Sequence, residues 1–158
     1  MSRIRVSIAS LLLLALLAAG CGGGVTIQPV RTQTLYFQAD PKINYGQILP
    51  VDIIYVSFLH ELRDITAIGP NDWFDSPKRQ NWPGRQSLGI VGGQKLKVDL
   101  NPTLVSRSPF IVIFATFKGV TDPAPQQVVL DSQAGEVEII QVRPHALEPL
   151  NPALRDFD

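Results

Sequence analysis

The chain has 158 residues, 45% of them hydrophobic, with 14 basic and 14 acidic side chains and one cysteine. Balanced charge gives no electrostatic reason to expect nucleic acid or an anionic membrane surface as a partner. A lone cysteine excludes an internal disulfide framework, CxxC redox chemistry and thiolate-rich metal sites, so packing and hydrogen bonds must hold the fold.

Residues 1–20 carry Arg3 and Arg5, an apolar run from Leu11 to Leu17, and small residues before Cys21. That order is a secretory signal peptide, and its apolar run falls short of the ~20 residues that a membrane span needs. Leu17-Ala18-Ala19-Gly20-Cys21 resembles a bacterial lipobox. In that reading Cys21 is diacylated on sulfur, becomes the new N-terminus and is acylated again, which gives stable anchoring. The alternative is a secreted chain with an incidental cysteine near its cleavage point. Removing residues 1–20 takes two arginines and leaves the mature chain two charges on the acidic side. Gly22 follows the cysteine where an Asp commonly retains envelope lipoproteins at the inner membrane. The outer membrane, with the domain on its periplasmic side, is the expected location. Residues 21–30 form the lipidated cysteine and a short glycine-led tether.

A sandwich domain is expected over 31–143. Thr32–Gln38, rich in Thr and aromatics, predicts the first strand. Asp40–Leu49 is a loop punctuated by Pro41, Asn44 and Gly46, with Pro50 behind it. Val51–Leu59 is apolar on both alternating sets, which predicts a central strand covered on both faces. From Arg63 to Gln86 the strand signal fails. Gly69-Pro70 breaks the chain, and Asn71 or Asp72 could cap a short helical turn bearing Trp73 and Phe74. Pro77–Gly84, with Lys78, Arg79 and Trp82, reads as an exposed insertion. Gly92-Gly93 suggests a hairpin turn or bulge. Leu96, Val98 and Leu100 alternate with Lys95, Lys97 and Asp99 as a half-buried strand. Phe110–Phe117 predicts a second central strand, followed by Gln126–Leu130 and Glu136–Val142. In the last, Glu136 and Glu138 should face out and Val137 and Ile139 in. The tail 144–158, with Pro149 and Pro152, shows no periodicity and reads as a loose or surface-wrapped end. About six to eight short strands with one short helical insertion give an all-β sandwich.

No catalytic residue and no metal site is predicted. His60 and His145 lack metal-ligand spacing. No serine sits in a Gly-x-Ser-x-Gly elbow, and Gly89–Lys95 lacks the spacer and the hydroxyl residue of a phosphate loop. Asp72, Asp75, Glu61 and Asp64 match no calcium-loop pattern. The aromatic content of a non-strand segment stands out instead. Trp73, Phe74 and Trp82 among Pro, Asn, Lys and Arg have the composition of a protein–protein hot spot. Trp73 and Phe74 could equally fold back to plug one end of the sandwich, whereas Trp82 is expected to be exposed.

Several stretches in order resemble the TssJ family, the outer-membrane lipoprotein of the bacterial type VI secretion system (T6SS). They are the lipobox, Asn44-Tyr45-Gly46 leading to Pro50-Val51, the strand Asp52–Val56, Asn71-Asp72-Trp73-Phe74, and the apolar strand Phe110–Phe117 ending in Lys118-Gly119. The chain departs in having Trp73-Phe74 for two phenylalanines and Pro123-Ala124-Pro125-Gln126 for a Trp-Arg pair. The resemblance implies a transthyretin-like or immunoglobulin-like β-sandwich, tethered by lipid, that captures the periplasmic part of the inner-membrane protein TssM. It places partner contact on the loop between the first two strands, here Lys42, Ile43, Asn44 and Tyr45, with no cofactor beyond the lipid on Cys21. Two other readings stay open. One is a pilotin or assembly lipoprotein of another secretion or pilus system; the other is a small envelope hydrolase or ligand-binding lipoprotein.

Overall fold

The computed structural model describes residues 27–150. The signal peptide, Cys21 and most of the tether fall outside this range, as do the last eight residues of the tail. Among the described residues, eight strands form two sheets. The strands are β1 (Thr34–Ala39), β2 (Leu49–Val56), β3 (Arg85–Ile90), β4 (Lys95–Asp99), β5 (Phe110–Ala115), β6 (Gln127–Leu130), β7 (Val137–Val142) and β8 (Leu147–Leu150). One sheet runs β4-β1-β7-β8 and the other β3-β2-β5-β6. Neighbours are antiparallel except β1 and β7, which run parallel. Three helices, α1 (Leu59–Trp73), α2 (Pro77–Asn81) and α3 (Pro102–Val105), fill the connections. The expected all-β sandwich with a helical insertion is the fold observed.

The doubly apolar strands are the ones covered twice. Val51, Ile53 and Tyr55 of β2 and Ile111, Ile113 and Ala115 of β5 join the core between the sheets. Their alternate residues, Ile54, Val56, Val112 and Phe114, pack outward against Ile65 and Trp73 of α1. The helix is longer than the expected turn. Leu62, Ile65 and Ile68 recur at helical spacing and turn one face to the sheet. The Gly69-Pro70 break is real but local. Gly69 adopts φ 71°, ψ 166°, and Pro70 restarts the helix where a missing N–H costs least.

Other expectations shift. Glu136 is exposed and Ile139 buried as expected, but Glu138, on the same face as Ile140 and Val142, is buried and Val137 is exposed. The Glu138 carboxylate is satisfied by accepting from the Gly135 N–H at 2.7 Å. The tail supplies β8, paired to β7 from Leu147↔Val142 to Leu150↔Ile139. Pro149 is tolerated there because an edge strand can spare a donor. Gly92-Gly93 does not close a hairpin, since it carries the chain from β3 in one sheet to β4 in the other. A Cβ on Gly92 would collide with the Pro41 carbonyl, so close backbone approach demands glycine there.

The sandwich has two distinct ends. At the near end, where the tether enters, the Val30 N–H donates to Ser108 O and the Thr32 hydroxyl to Gly135 O. At the far end four loops meet. Asp40 N–H reaches Val142 O, Gly93 N–H reaches Asp40 O, and Asn44 N–H reaches Pro144 O; Lys118 N–H reaches the Asn44 side chain.

Candidate functional site

The far end is built around the loop between β1 and β2. After Pro41 the chain turns inward and buries Ile43 completely. Asn44 follows, also buried, and its amide ties three segments together. Its Oδ1 accepts from Lys118 N–H at 2.7 Å, its Nδ2 donates to Ile48 O at 3.0 Å, and its own N–H bonds Pro144 O. Asn44, Tyr45 and Gly46 then occupy left-handed backbone in succession, with φ of 45°, 54° and 77°. Glycine adopts this freely and asparagine tolerates it, whereas for tyrosine it costs ~1–2 kcal/mol. Two turn bonds, Gly46 N–H to Ile43 O and Gln47 N–H to Asn44 O, close the reversal.

The strained turn aims Tyr45 outward. Tyr45 is 70% exposed, and its ring leans on His145 of the β7–β8 loop with centroids 5.5 Å apart. Ile48, 64% exposed, lies across Gly89, where any Cβ would meet its Cγ2. Lys42 and Lys118 are exposed on either side, and among the described residues neither pairs with a carboxylate. The tip is thus an aromatic and an aliphatic side chain with basic neighbours, on a backbone locked by hydrogen bonds. Such a surface can bind a protein face without first paying to order itself.

The predicted contact residues therefore separate. Lys42 and Tyr45 are on the surface. Ile43 and Asn44 are buried: one is core and the other is the brace of the turn. Ile48 was missed; its only signal is that it stands one residue before buried Leu49, in opposite phase.

The aromatic insertion turns inward. Trp73 is fully buried on the outer face of the β3-β2-β5-β6 sheet, with its ring edge-on to Phe114 and Trp82 at 6.0 and 6.2 Å. Trp82 is half-buried rather than exposed, and its indole N–H donates to Tyr55 O at 3.1 Å. Phe74 is half-buried under the Arg79 guanidinium, 4.9 Å from the ring centre. Beneath Trp73 and Arg79 lies Asp52, a fully buried carboxylate in an otherwise apolar strand. It accepts from Trp73 Nε1 at 2.8 Å, from Arg79 Nε at 2.7 Å and from the Ser87 hydroxyl at 2.6 Å. Arg85 stands at 3.5 Å. Burial pushes this carboxyl upward. The hydrogen bonds from Arg79, Ser87 and Trp73 and the charge of Arg79 outweigh it, so the pKa falls below the usual range.

The two histidines do not converge. His60 stacks on Phe58 at the near end and His145 on Tyr45 at the far end. Among the described residues no three His, Cys, Asp or Glu side chains gather as metal ligands.

No protein-family model matches this chain, and no curated protein sequence does either. Solved structures do. A chain of a "Type VI membrane complex" superposes with a TM-score of 0.59 at 16% identity, covering 76% of this chain and 99% of that one. A chain in the structure of the T6SS protein TssM C-terminal domain (869–1107) from EAEC gives 0.58 at 17% identity, over 75% and 97%. The T6SS lipoprotein TssJ1 from Pseudomonas aeruginosa gives 0.53 at 13% identity, over 77% and 95%. At these identities the likeness is one of architecture: the chain has a TssJ-like β-sandwich fold.

Proposed function

We propose that this chain is a non-enzymatic, lipid-anchored component of a type VI secretion membrane complex. Cys21 holds it to the periplasmic side of the outer membrane, and the Tyr45 tip binds the periplasmic part of a TssM-like inner-membrane protein. The observation that carries this reading is the polarity of the domain. The tether enters at one end, and the rigid, exposed tip of Lys42, Tyr45 and Ile48 stands at the other. A molecule so arranged joins a membrane to a partner away from it, and anchoring concentrates the tip for capture. Two matches support the choice of partner. One is the membrane-complex chain; the other lies in the structure of the TssM domain.

The test is co-purification from envelope membranes. The wild type should bring down a TssM-like protein. A triple variant, Lys42→Ser with Tyr45→Ser and Ile48→Ser, should lose it while melting as the wild type does, and Cys21→Ser should leave the membrane fraction. Retention of the partner by the triple variant would remove the tip from the interface. Absence of any such partner from the wild type would remove the assignment.

A further inference from the structure

The near end has an apolar surface of its own. Phe58 is 58% exposed and Leu59 42%, side by side where β2 passes into α1. Phe58 is the N-cap residue of α1, in extended backbone, and makes no side-chain cap. Ser, Thr, Asp or Asn at that position would accept an amide hydrogen bond that Phe cannot. Glu61 holds the helix start instead, its carboxylate accepting from the Ser57 and Phe58 N–H groups at 3.0 and 3.1 Å. An exposed Phe that replaces a cap serves neither the core nor the helix. Ile27, 44% exposed, is on the same end: Val30 bonds Ser108, and Ser57, Glu61, Arg107 and Ser108 line one hollow. Arg31, Arg63 and Arg107 are exposed and form no ion pair among the described residues.

The position of the tether says what covers this surface. Ile27 is six residues from Cys21, which span ~20 Å at full extension. With Cys21 lipidated, the near end is held within that distance of the headgroups. We infer that Phe58 and Leu59, with Ile27, dock the near end into the interfacial zone of the bilayer, and that this contact holds the domain upright with the Tyr45 tip directed away from the membrane. The inference rests on the lipid anchor of the proposed function. Aromatic and aliphatic side chains favour this zone, and the three arginines can meet lipid phosphates. The contact forms within an already anchored molecule, so it need not be strong.

The lipidated protein, reconstituted in vesicles of phosphatidylethanolamine and phosphatidylglycerol, tests this. Acylated Cys21 offers no thiol, so a cysteine introduced by His60→Cys, or by Tyr45→Cys at the other end, takes a nitroxide label alone. Docking predicts an oxygen-to-nickel-complex collision ratio several-fold higher at position 60 than at 45. Adding Phe58→Ser and Leu59→Ser should bring the two ratios together. Serine is a preferred cap, so this variant keeps its helix. If the protein floats with vesicles but both labels report water, docking is wrong while the anchor stands. If it does not float, anchor and docking fall together. Spin–spin broadening at position 60 without lipid contact would give the surface to a second copy of the chain and overturn the inference.

Discussion

The far-end tip and the aromatic insertion have similar compositions, each an aromatic group among Pro, Asn and basic residues outside the strands, yet one points outward and the other in. Trp73 and Trp82 carry indole N–H groups, and each finds an acceptor beneath it, Asp52 Oδ2 and Tyr55 O. Tyr45 has no such acceptor below, and its left-handed backbone swings the ring away from the core. The comparison teaches that an aromatic's exposure is decided by the polar partners within its reach and by the backbone that carries it. Composition alone does not decide it.

The largest expected difference between the two regions is in stability. Trp73→Ala should cost ~3–5 kcal/mol, by the cavity it leaves, and should weaken the grip on Asp52. Trp73→Phe, which keeps most of the volume and loses the hydrogen bond, should cost ~1–3 kcal/mol. Chemical denaturation of both variants checks this, and near-equal losses would show that the hydrogen bond to Asp52 rather than packing dominates.

Acid titration addresses the same hub. The Asp52 pKa is lowered in the folded protein, so its stabilising contribution is complete above the unfolded value of about 3.9 and disappears as pH falls through the lower folded value. Unfolding free energy should therefore decline below about pH 4, and Asp52→Asn, less stable throughout, should decline less steeply. Equal acid slopes would assign the decline to other carboxylates.

At the tip the effects on stability are smaller and the effects on binding larger. Asn44→Ala removes the brace and should cost ~1–3 kcal/mol along with partner capture. Tyr45→Gly should change stability by less than about 1 kcal/mol, because relief of left-handed strain is offset by glycine's chain entropy. It should still abolish capture in the co-purification assay. A large loss of stability in Tyr45→Gly would show that its ring, leaning on His145, is a structural wedge.

The sequence made β2 and β5 legible because burial on both faces leaves a continuous apolar run, and no solvated element carries one. It also placed the loop of the candidate site, through Pro41, Asn44, Gly46 and Pro50. Three features were hidden for physical reasons. The first ten residues of α1 show only a narrow apolar stripe, Leu62, Ile65 and Ile68, overshadowed by the Gly69-Pro70 break. β3 and β8 are edge strands whose mixed or proline-bearing sequences make sense only beside their partners. In β7 two of the four expected positions differ, because Val137 is exposed and Glu138 buried against a backbone N–H, an exchange that local alternation cannot reveal. Within the site, burial of Ile43 and the role of Asn44 depend on Pro144 and Lys118, residues about 75 to 100 positions away that no local pattern connects to them.

β1 lies inside its sheet, bonded along its length to β4 on one side and, in parallel, to β7 on the other. It also runs from the end where the tether enters to the loop that carries Tyr45. A pull on Ile27 against a partner held at the tip is therefore directed along β1. Two ladders of hydrogen bonds then resist together in shear, where an edge strand peeled sideways would lose its bonds one at a time. The strand that follows the tether is the one best placed to bear mechanical load.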